Sequence, residues 1–369
     1  MDIGIGIVGY GMIAKTHLLG IQASRVLWPD APHAYARALC TRRPEQCQEL
    51  PFTSIYTEPK RLFEDEKVQI VDICTPNSFH ASVAIDAMRA GKCVYVEKPL
   101  SNSLIDAKQM CNVAKETCAI NQTALILRFR PVVNRVKDLL QSGSIGDVIH
   151  FRGCFFHGSY LDPKRPISWR QQMATAGGGA MMDLGVHLLD MVRYVIGDVE
   201  EISAKARTVC KERYTDNRCT EKTVNDTDEY MCATLTMQNG SLGIIESSRI
   251  STSAYNNETL EIFGTNGSIF LDFDKMGRVV LTEAGGRGSV EVNGSHPGAS
   301  EKEALTLLPE QRQSLGPFVD VHTAAIKNIC NWFVQDKMFS GTPTFEDGYQ
   351  AQLLVQQCID SAECNKKQD

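Results

Sequence analysis

The hydrophobic pattern divides the chain into two rhythms. In the first part, short apolar runs at Ile3 to Val8, Ala34 to Cys40, Val68 to Cys74, Cys93 to Val96 and Ala124 to Leu127 alternate with helical spacings. Those helical patterns run through Leu18 and Ile21, over His80 to Ala90, and over Ser103 to Cys118. Strands alternating with helices predict an α/β fold with a doubly wound parallel sheet. Beyond Pro131 the order changes. A helix over Val132 to Gln141 precedes short strands at Val148 to Phe156, Glu200 to Thr208, Tyr230 to Met237, Ser241 to Ile250, Thr259 to Phe263 and Ser268 to Asp272. Asn239-Gly240 and Asn266-Gly267 are hairpin signals between neighbouring strands. Lys211 to Asp228 is polar and reads as an excursion, and glycine-rich Gly285 to Ser300 reads as a mobile surface loop. Two helices, Ser314 to Gln335 and Phe345 to Cys364, close the chain. The predicted domains are 1–125 and 126–369.

Composition narrows the function classes. With 369 residues there is material for two or three domains, and 43% hydrophobic against 22% charged residues marks a globular chain with ample core. A net charge of −6 without a basic cluster argues against nucleic acid as a partner. The apolar start, MDIGIGIVGYG, lacks the features of a signal peptide and is better used as a buried strand. No membrane partner is expected. The 13 cysteines are scattered, without a C-x-x-C pair or zinc-ligand spacing, which suits reduced thiols, a cytoplasmic location and no metal site.

The first strand runs directly into Gly9-Tyr10-Gly11-Met12-Ile13-Ala14, a G-x-G-x-x-A turn that opens a helix. In that context the first glycine permits the tight turn, the second admits a pyrophosphate to the backbone, and the small third residue lets the helix pack on the strand. The second strand, after a loop at Trp28 to His33 that looks inserted, ends in Thr41-Arg42-Arg43 instead of the acidic residue that takes a ribose hydroxyl. Two guanidinium groups there suit a 2′-phosphate, so the cofactor reading is NAD(P), favouring NADP; NAD remains open through Glu45 or a backbone group. Thr75-Pro76-Asn77 with His80 follows the third strand, and Glu97-Lys98-Pro99 follows the fourth. Strand ends of a doubly wound sheet are where the cofactor binds.

The most telling stretch is AGGGAMMDLGVHLLD, Ala176 to Asp190. Asp183 and His187 are four residues apart, so an α-helix would stack them on one face. The surrounding Met and Leu residues make this helix apolar almost all round, and buried Asp and His need a partner or a task. Glycines at Gly177 to Gly179 are expected to leave room for a ligand ring.

Taken together, GIVGYGMIA, CTPNSFH, YVEKPLS, RFRPVVNRVKDLLQSGSIGDV, WRQQMATAGGGAMMDLGVHLLD and LEIFGTNGSIFLD resemble the Gfo/Idh/MocA family of NAD(P)-dependent oxidoreductases, in order and spacing. The resemblance implies an N-terminal Rossmann domain and a C-terminal α/β domain with a large, mainly antiparallel sheet that binds substrate and often forms a homo-oligomer, a dimer or tetramer. It also implies that Lys98 of the E-K-P motif and Asp183 and His187 of the D-x-G-x-H segment are the catalytic set. His187 suits proton transfer at a hydroxyl and Lys98 suits holding the same oxygen near the nicotinamide. Arg128, His157, Tyr160, Trp169 and Arg170 are candidates for contacting a sugar, cyclic polyol or glycoside, and each is equally readable as structural. Two alternatives stay open. One is a glycosidase-like enzyme that oxidises the sugar transiently and regenerates its cofactor. The other is a non-catalytic dinucleotide-binding sensor, against which retention of Lys98, Asp183 and His187 speaks.

Overall fold

The computed structural model describes residues 2–252, 257–273, 277–286 and 288–366. They fall into two units, Met1–Phe129 with Glu303–Tyr349, and Arg130–Lys302 with Gln350–Asp369.

The first unit is built on strands β1 (Asp2–Val8), β2 (His33–Cys40), β3 (Ser54–Tyr56), β4 (Ile70–Ile73), β5 (Cys93–Val96) and β6 (Asn121–Thr123). They form one sheet in the order β3-β2-β1-β4-β5-β6, parallel throughout. This is the doubly wound dinucleotide-binding order, reversing direction beside β1. The central strands are buried along both faces, hence their continuous Ile and Val content. Helices α1 (Met12–Leu27), α2 (Pro59–Phe63), α3 (His80–Arg89) and α4 (Leu104–Thr117) make the crossovers. Ser103 caps α4 by accepting the Asp106 N–H at 3.2 Å.

Two expectations are corrected here. The apolar run Ala124 to Leu127 is not the sixth strand; polar Asn121–Thr123 is, and Ile126–Phe129 is a 3-10 turn. Gln122 donates to the Ala325 carbonyl at 3.0 Å and Thr123 to the Thr344 carbonyl at 3.2 Å, so distant chain satisfies these polar side chains. The predicted boundary at 125 also misses a return, because Glu303–Tyr349 belongs to the first unit. A helix over Pro317–Gln335 places Val321, Ala324, Ala325 and Ile329 in one core with Ile3, Ile7 and Ile21. Burying each Val or Ile side chain contributes about 1.5–3 kcal/mol, which fixes the segment there.

The second unit carries α5 (Pro131–Gln141), β7 (Val148–Phe156), α6 (Met173–Ala176), α7 (Val186–Val195), β8 (Val199–Arg207), β9 (Glu212–Tyr214), β10 (Lys222–Val224), β11 (Tyr230–Met237), β12 (Leu242–Ser248), β13 (Asn257–Gly264), β14 (Gly267–Asp272), β15 (Arg278–Glu283) and β16 (Ser289–Glu291). Its large sheet runs β16-β15-β14-β13-β7-β12-β11-β8 and is antiparallel except where β12 meets β7. One face is core: along β11, Met231, Ala233, Leu235 and Met237 are buried at alternate positions. The predicted excursion at 211–228 contains the β9–β10 pair. It is anchored from inside, where buried Arg213 meets buried Glu229 at 2.8 Å. The loop expected over 285–300 includes β16 and the start of a helix at Ala299–Leu305, with residue 287 outside the described residues.

Candidate active site

The glycine turn of the first unit has the geometry that its sequence demands. Gly9 has φ +92°, and a Cβ there would sit 2.9 Å from the Cys74 carbonyl oxygen, so no other residue fits without strain. Gly11 caps α1 with φ −85° and has nothing within 4 Å of where a Cβ would be. Met12 is 80% exposed, Ile13 is half-buried, and the first turn of α1 carries no acidic residue. A bare helix N-terminus without a competing carboxylate suits a phosphate, so these residues fit a dinucleotide.

The other strand ends of this unit carry the remaining predicted cofactor residues. Beyond β2, Thr41 accepts the Arg43 N–H at 3.3 Å, and the side chains of Arg42 and Arg43 are exposed. Beyond β4, Thr75 and Pro76 are half-buried and Asn77 is buried in a 3-10 turn. His80 is fully buried, with Nδ1 2.9 Å from the Pro99 carbonyl and Nε2 3.0 Å from the Thr75 carbonyl. A neutral imidazole carries one N–H and so donates to one of these two carbonyls. Burial pushes this imidazole below its ordinary pKa. Beyond β5, Glu97 donates its N–H to the Ile73 carbonyl at 3.0 Å, and its carboxylate accepts the Lys98 N–H at 3.2 Å. Lys98 is half-buried. Arg128 is buried and pairs with Asp347 at 2.9 Å, which gives it a structural partner inside the unit.

In the second unit the Ala176 to Asp190 stretch is not one uniform α-helix. Gly177, at φ +77°, ends α6, and Met181–Gly185 forms a π-helical turn before α7 begins. Such turns are rare and recur at functional sites. Asp183 lies inside this turn and His187 follows it in the first turn of α7, so the stretch between them is not the uniform α-helix that the sequence suggested. The glycines also do different work from that expected. A Cβ on Gly179 would overlap the Asp228 backbone, and the Asp228 carboxylate accepts the N–H groups of Gly179 at 2.8 Å and Met181 at 3.0 Å. Close packing on Asp228, not room for a ligand ring, is what Gly179 provides.

Asp183 pairs with Arg249, whose guanidinium is 98% buried to Asp183's 80%, at 3.1 Å. A second nitrogen of Arg249 donates to the Arg170 carbonyl at 3.0 Å, so the cation is held from two sides. His187 is buried on the first turn of α7, its ring 6.4 Å from that of Phe155. Tyr160 is buried with the guanidinium carbons of Arg165, Arg249 and Arg213 at 4.4, 5.3 and 5.8 Å from its ring centre. His157 accepts the Ser159 N–H at 3.2 Å, and its ring is 6.1 Å from Tyr160. Trp169 and Arg170 stack at 4.3 Å in a 3-10 turn. Thus Asp183, Arg249, Arg170 and Tyr160 form one neighbourhood, and Trp169 joins it through Arg170.

Sequence reasoning passed over Arg249, His17, Asp72 and His322. Asp72 did leave a trace, a charge inside the apolar run VQIVDIC, where burial requires a partner.

A doubly wound sheet with an open phosphate-ready helix defines the class, a dinucleotide-binding protein. Residues 3–124 match the model of an oxidoreductase family with an NAD-binding Rossmann fold, and residues 133–270 match the GFO/IDH/MocA C-terminal domain. The chain belongs to the GFO/IDH/MocA family. It is 28% identical to levoglucosan dehydrogenase of Pseudarthrobacter phenanthrenivorans over 98% of this chain and 96% of that protein. It is 29% identical to myo-inositol 2-dehydrogenase of Thermotoga maritima over 77% of this chain and 80% of the relative. Among solved structures, levoglucosan dehydrogenase in complex with NADH and levoglucosan superimposes with a TM-score of 0.87 at 27% identity, covering 98% of each chain. Among the described residues, no helix is long and apolar enough to cross a membrane.

Proposed function

We propose that this protein is a nicotinamide-dependent dehydrogenase or reductase that acts on a hydroxyl or carbonyl carbon of a sugar or cyclic polyol. The observation that carries this reading is likeness along nearly the whole chain to a dehydrogenase solved with NADH and an anhydrosugar. The nicotinamide, when bound, supplies hydride acceptance and donation. Oxidation of an alcohol also requires the hydroxyl proton to leave, and His187 is the group that takes it. Lys98 donates a hydrogen bond to the reacting oxygen and counters its developing negative charge. Asp183 acts as a fixed anion, its orientation set by Arg249 at 3.1 Å. Turnover followed by the absorbance of the reduced nicotinamide, with levoglucosan and inositols as first substrates, tests the reading. Dependence on a sugar or polyol supports it, and no turnover with any of them counts against it.

Arg42 and Arg43, exposed at the end of β2, favour NADP over NAD through charge-assisted contacts with a 2′-phosphate. That preference would set this chain apart from levoglucosan dehydrogenase, which was solved with NADH. Replacing both arginines by Ala should lower kcat/KM for NADPH at least about tenfold, roughly 1.4 kcal/mol, and leave NADH nearly unaffected. A wild-type preference for NAD overturns this assignment.

A further inference from the structure

Behind the strand end that carries Lys98, the first unit encloses a set of titratable groups to which the proposed chemistry assigns no task. His17, on α1, is fully buried. Its Nδ1 lies 3.0 and 2.9 Å from the two carboxylate oxygens of Asp72 on β4. Its Nε2 lies 3.0 Å from Nδ1 of His322 and 3.3 Å from Oε1 of Glu97. Cys74 Sγ approaches Nδ1 at 3.5 Å, and Tyr95 on β5 stacks on the imidazole with centroids 5.2 Å apart. Asp72, Cys74, Tyr95, Glu97 and His322 are all buried. Among the described residues these are the titratable groups that face His17, and Lys98 acts on Glu97 and His322.

The geometry constrains the proton. Asp72 requires an N–H on Nδ1. If Nε2 were then bare, its lone pair would face the buried Glu97 carboxylate at 3.3 Å, and no positive charge would sit between the two buried carboxylates. Uncompensated burial costs several kcal/mol per ion, so protonation of both ring nitrogens resolves the site. The electrostatics agree. Burial opposes charge on His17, but Asp72 together with Cys74 and Tyr95 holds the imidazole well above its ordinary pKa. Burial would raise Glu97, yet the charge of His17 in contact at 3.3 Å brings it down to about 2. Burial and the neighbouring cation push His322 down to about 3, leaving it the neutral acceptor.

Glu97 passes this anchoring on, since its carboxylate accepts the Lys98 N–H at 3.2 Å. We propose that His17 is a positioning residue, an imidazolium that clamps Glu97 and thereby fixes the backbone of Lys98 to the helix whose first turn receives the dinucleotide phosphates. This rests on the reading of Lys98 as the oxygen-holding group.

The test has two independent arms, both on the full-length protein. In the first, ¹⁵N-histidine NMR, assigned with His17→Gln or by elimination, reports the protonation of His17. The expected result is both nitrogens protonated at pH values above the ordinary imidazole range, where a free histidine is neutral. A neutral His17 overturns the proposal. So does one tightly held divalent metal per chain, because His17 Nε2, His322 Nδ1 and Glu97 Oε1 are close enough to ligate one. In the second arm, His17→Gln and Glu97→Gln should each lower kcat at least about tenfold while NADH affinity stays within about threefold, and the double variant should be no worse than the weaker single variant. Unchanged kcat in Glu97→Gln, which preserves shape should His17→Gln not fold, overturns the proposal even if stability falls. Lys98→Ala separates the two ideas. Full activity in that variant removes the lysine's chemical role and leaves the NMR result standing.

Discussion

Alanine at the two glycines of the phosphate turn should have separable effects. At Gly9 the side chain is forbidden twice, by φ +92° and by a Cys74 carbonyl oxygen 2.9 Å from the added Cβ. A left-handed conformation costs a non-glycine residue about 1–2 kcal/mol, and relieving overlap with rigid backbone adds a comparable amount, so Gly9→Ala should lose roughly 2–4 kcal/mol. For a unit of this size that is a fall in Tm of about 5–15 °C. At Gly11, φ is −85° and nothing lies within 4 Å of the added Cβ, so Gly11→Ala should melt within about 2 °C of the wild type. Its methyl group would project into the open space over the helix N-terminus where the pyrophosphate must approach. Dinucleotide affinity, read from NADH fluorescence, should therefore fall at least about tenfold without loss of stability. Wild-type affinity in a well-folded Gly11→Ala would refute the placement of the phosphates. Wild-type Tm in Gly9→Ala would refute the strain argument.

Two further outcomes concern the second unit. Glu258 is half-buried with its Oε1 closed to solvent, and burial raises its carboxyl to about 7, partly opposed by Arg130. A carboxyl raised on folding destabilises as it ionises, so stability from this group is lost as pH climbs from the ordinary carboxylate range through 7. Glu258→Gln should then gain about 1–2 kcal/mol over wild type at pH 8 in chemical denaturation and nothing near pH 4, after allowance for its partial exposure; a pH-independent difference contradicts this. Arg213→Met removes the cation that meets the buried Glu229 carboxylate at 2.8 Å and leaves it only the neutral donors Val209, Cys210 and Asn225. The expected loss is about 3–5 kcal/mol by thermal or chemical denaturation, and a loss below about 1 kcal/mol would mean that water reaches the site.

Much of the architecture was legible because local pattern and tertiary role coincide. Cys93–Val96, Val148–Phe156 and Tyr230–Met237 have the predicted bounds, and in the first and last the burial follows a run or an alternation visible within the segment itself. The sixth strand was hidden for the opposite reason. Asn121, Gln122 and Thr123 look like loop residues until Phe345 N–H, Ala325 and Thr344 come back to satisfy them from some 200 positions away. The same separation hides the return of Glu303–Tyr349 and the His17 cluster, whose members lie on α1, β4, β5 and a helix near the C-terminus. In the candidate site, the glycine turn could be read because its chemistry is backbone chemistry fixed by residue type and order. Arg249 could not, because a guanidinium acquires its partner only when β12 is laid beside the π-helical turn. The role given to Gly179 failed in the same way, through Asp228 filling the space that composition alone left empty.

The assignment of chemistry to particular side chains is tested most directly by single-turnover reduction of the bound nicotinamide with an accepted sugar or polyol, comparing wild type with Lys98→Ala and His187→Ala. Each substitution should slow the step by at least about a hundredfold while NADH still binds within about threefold. Hydride transfer at the wild-type rate in either variant would contradict the role given to that residue.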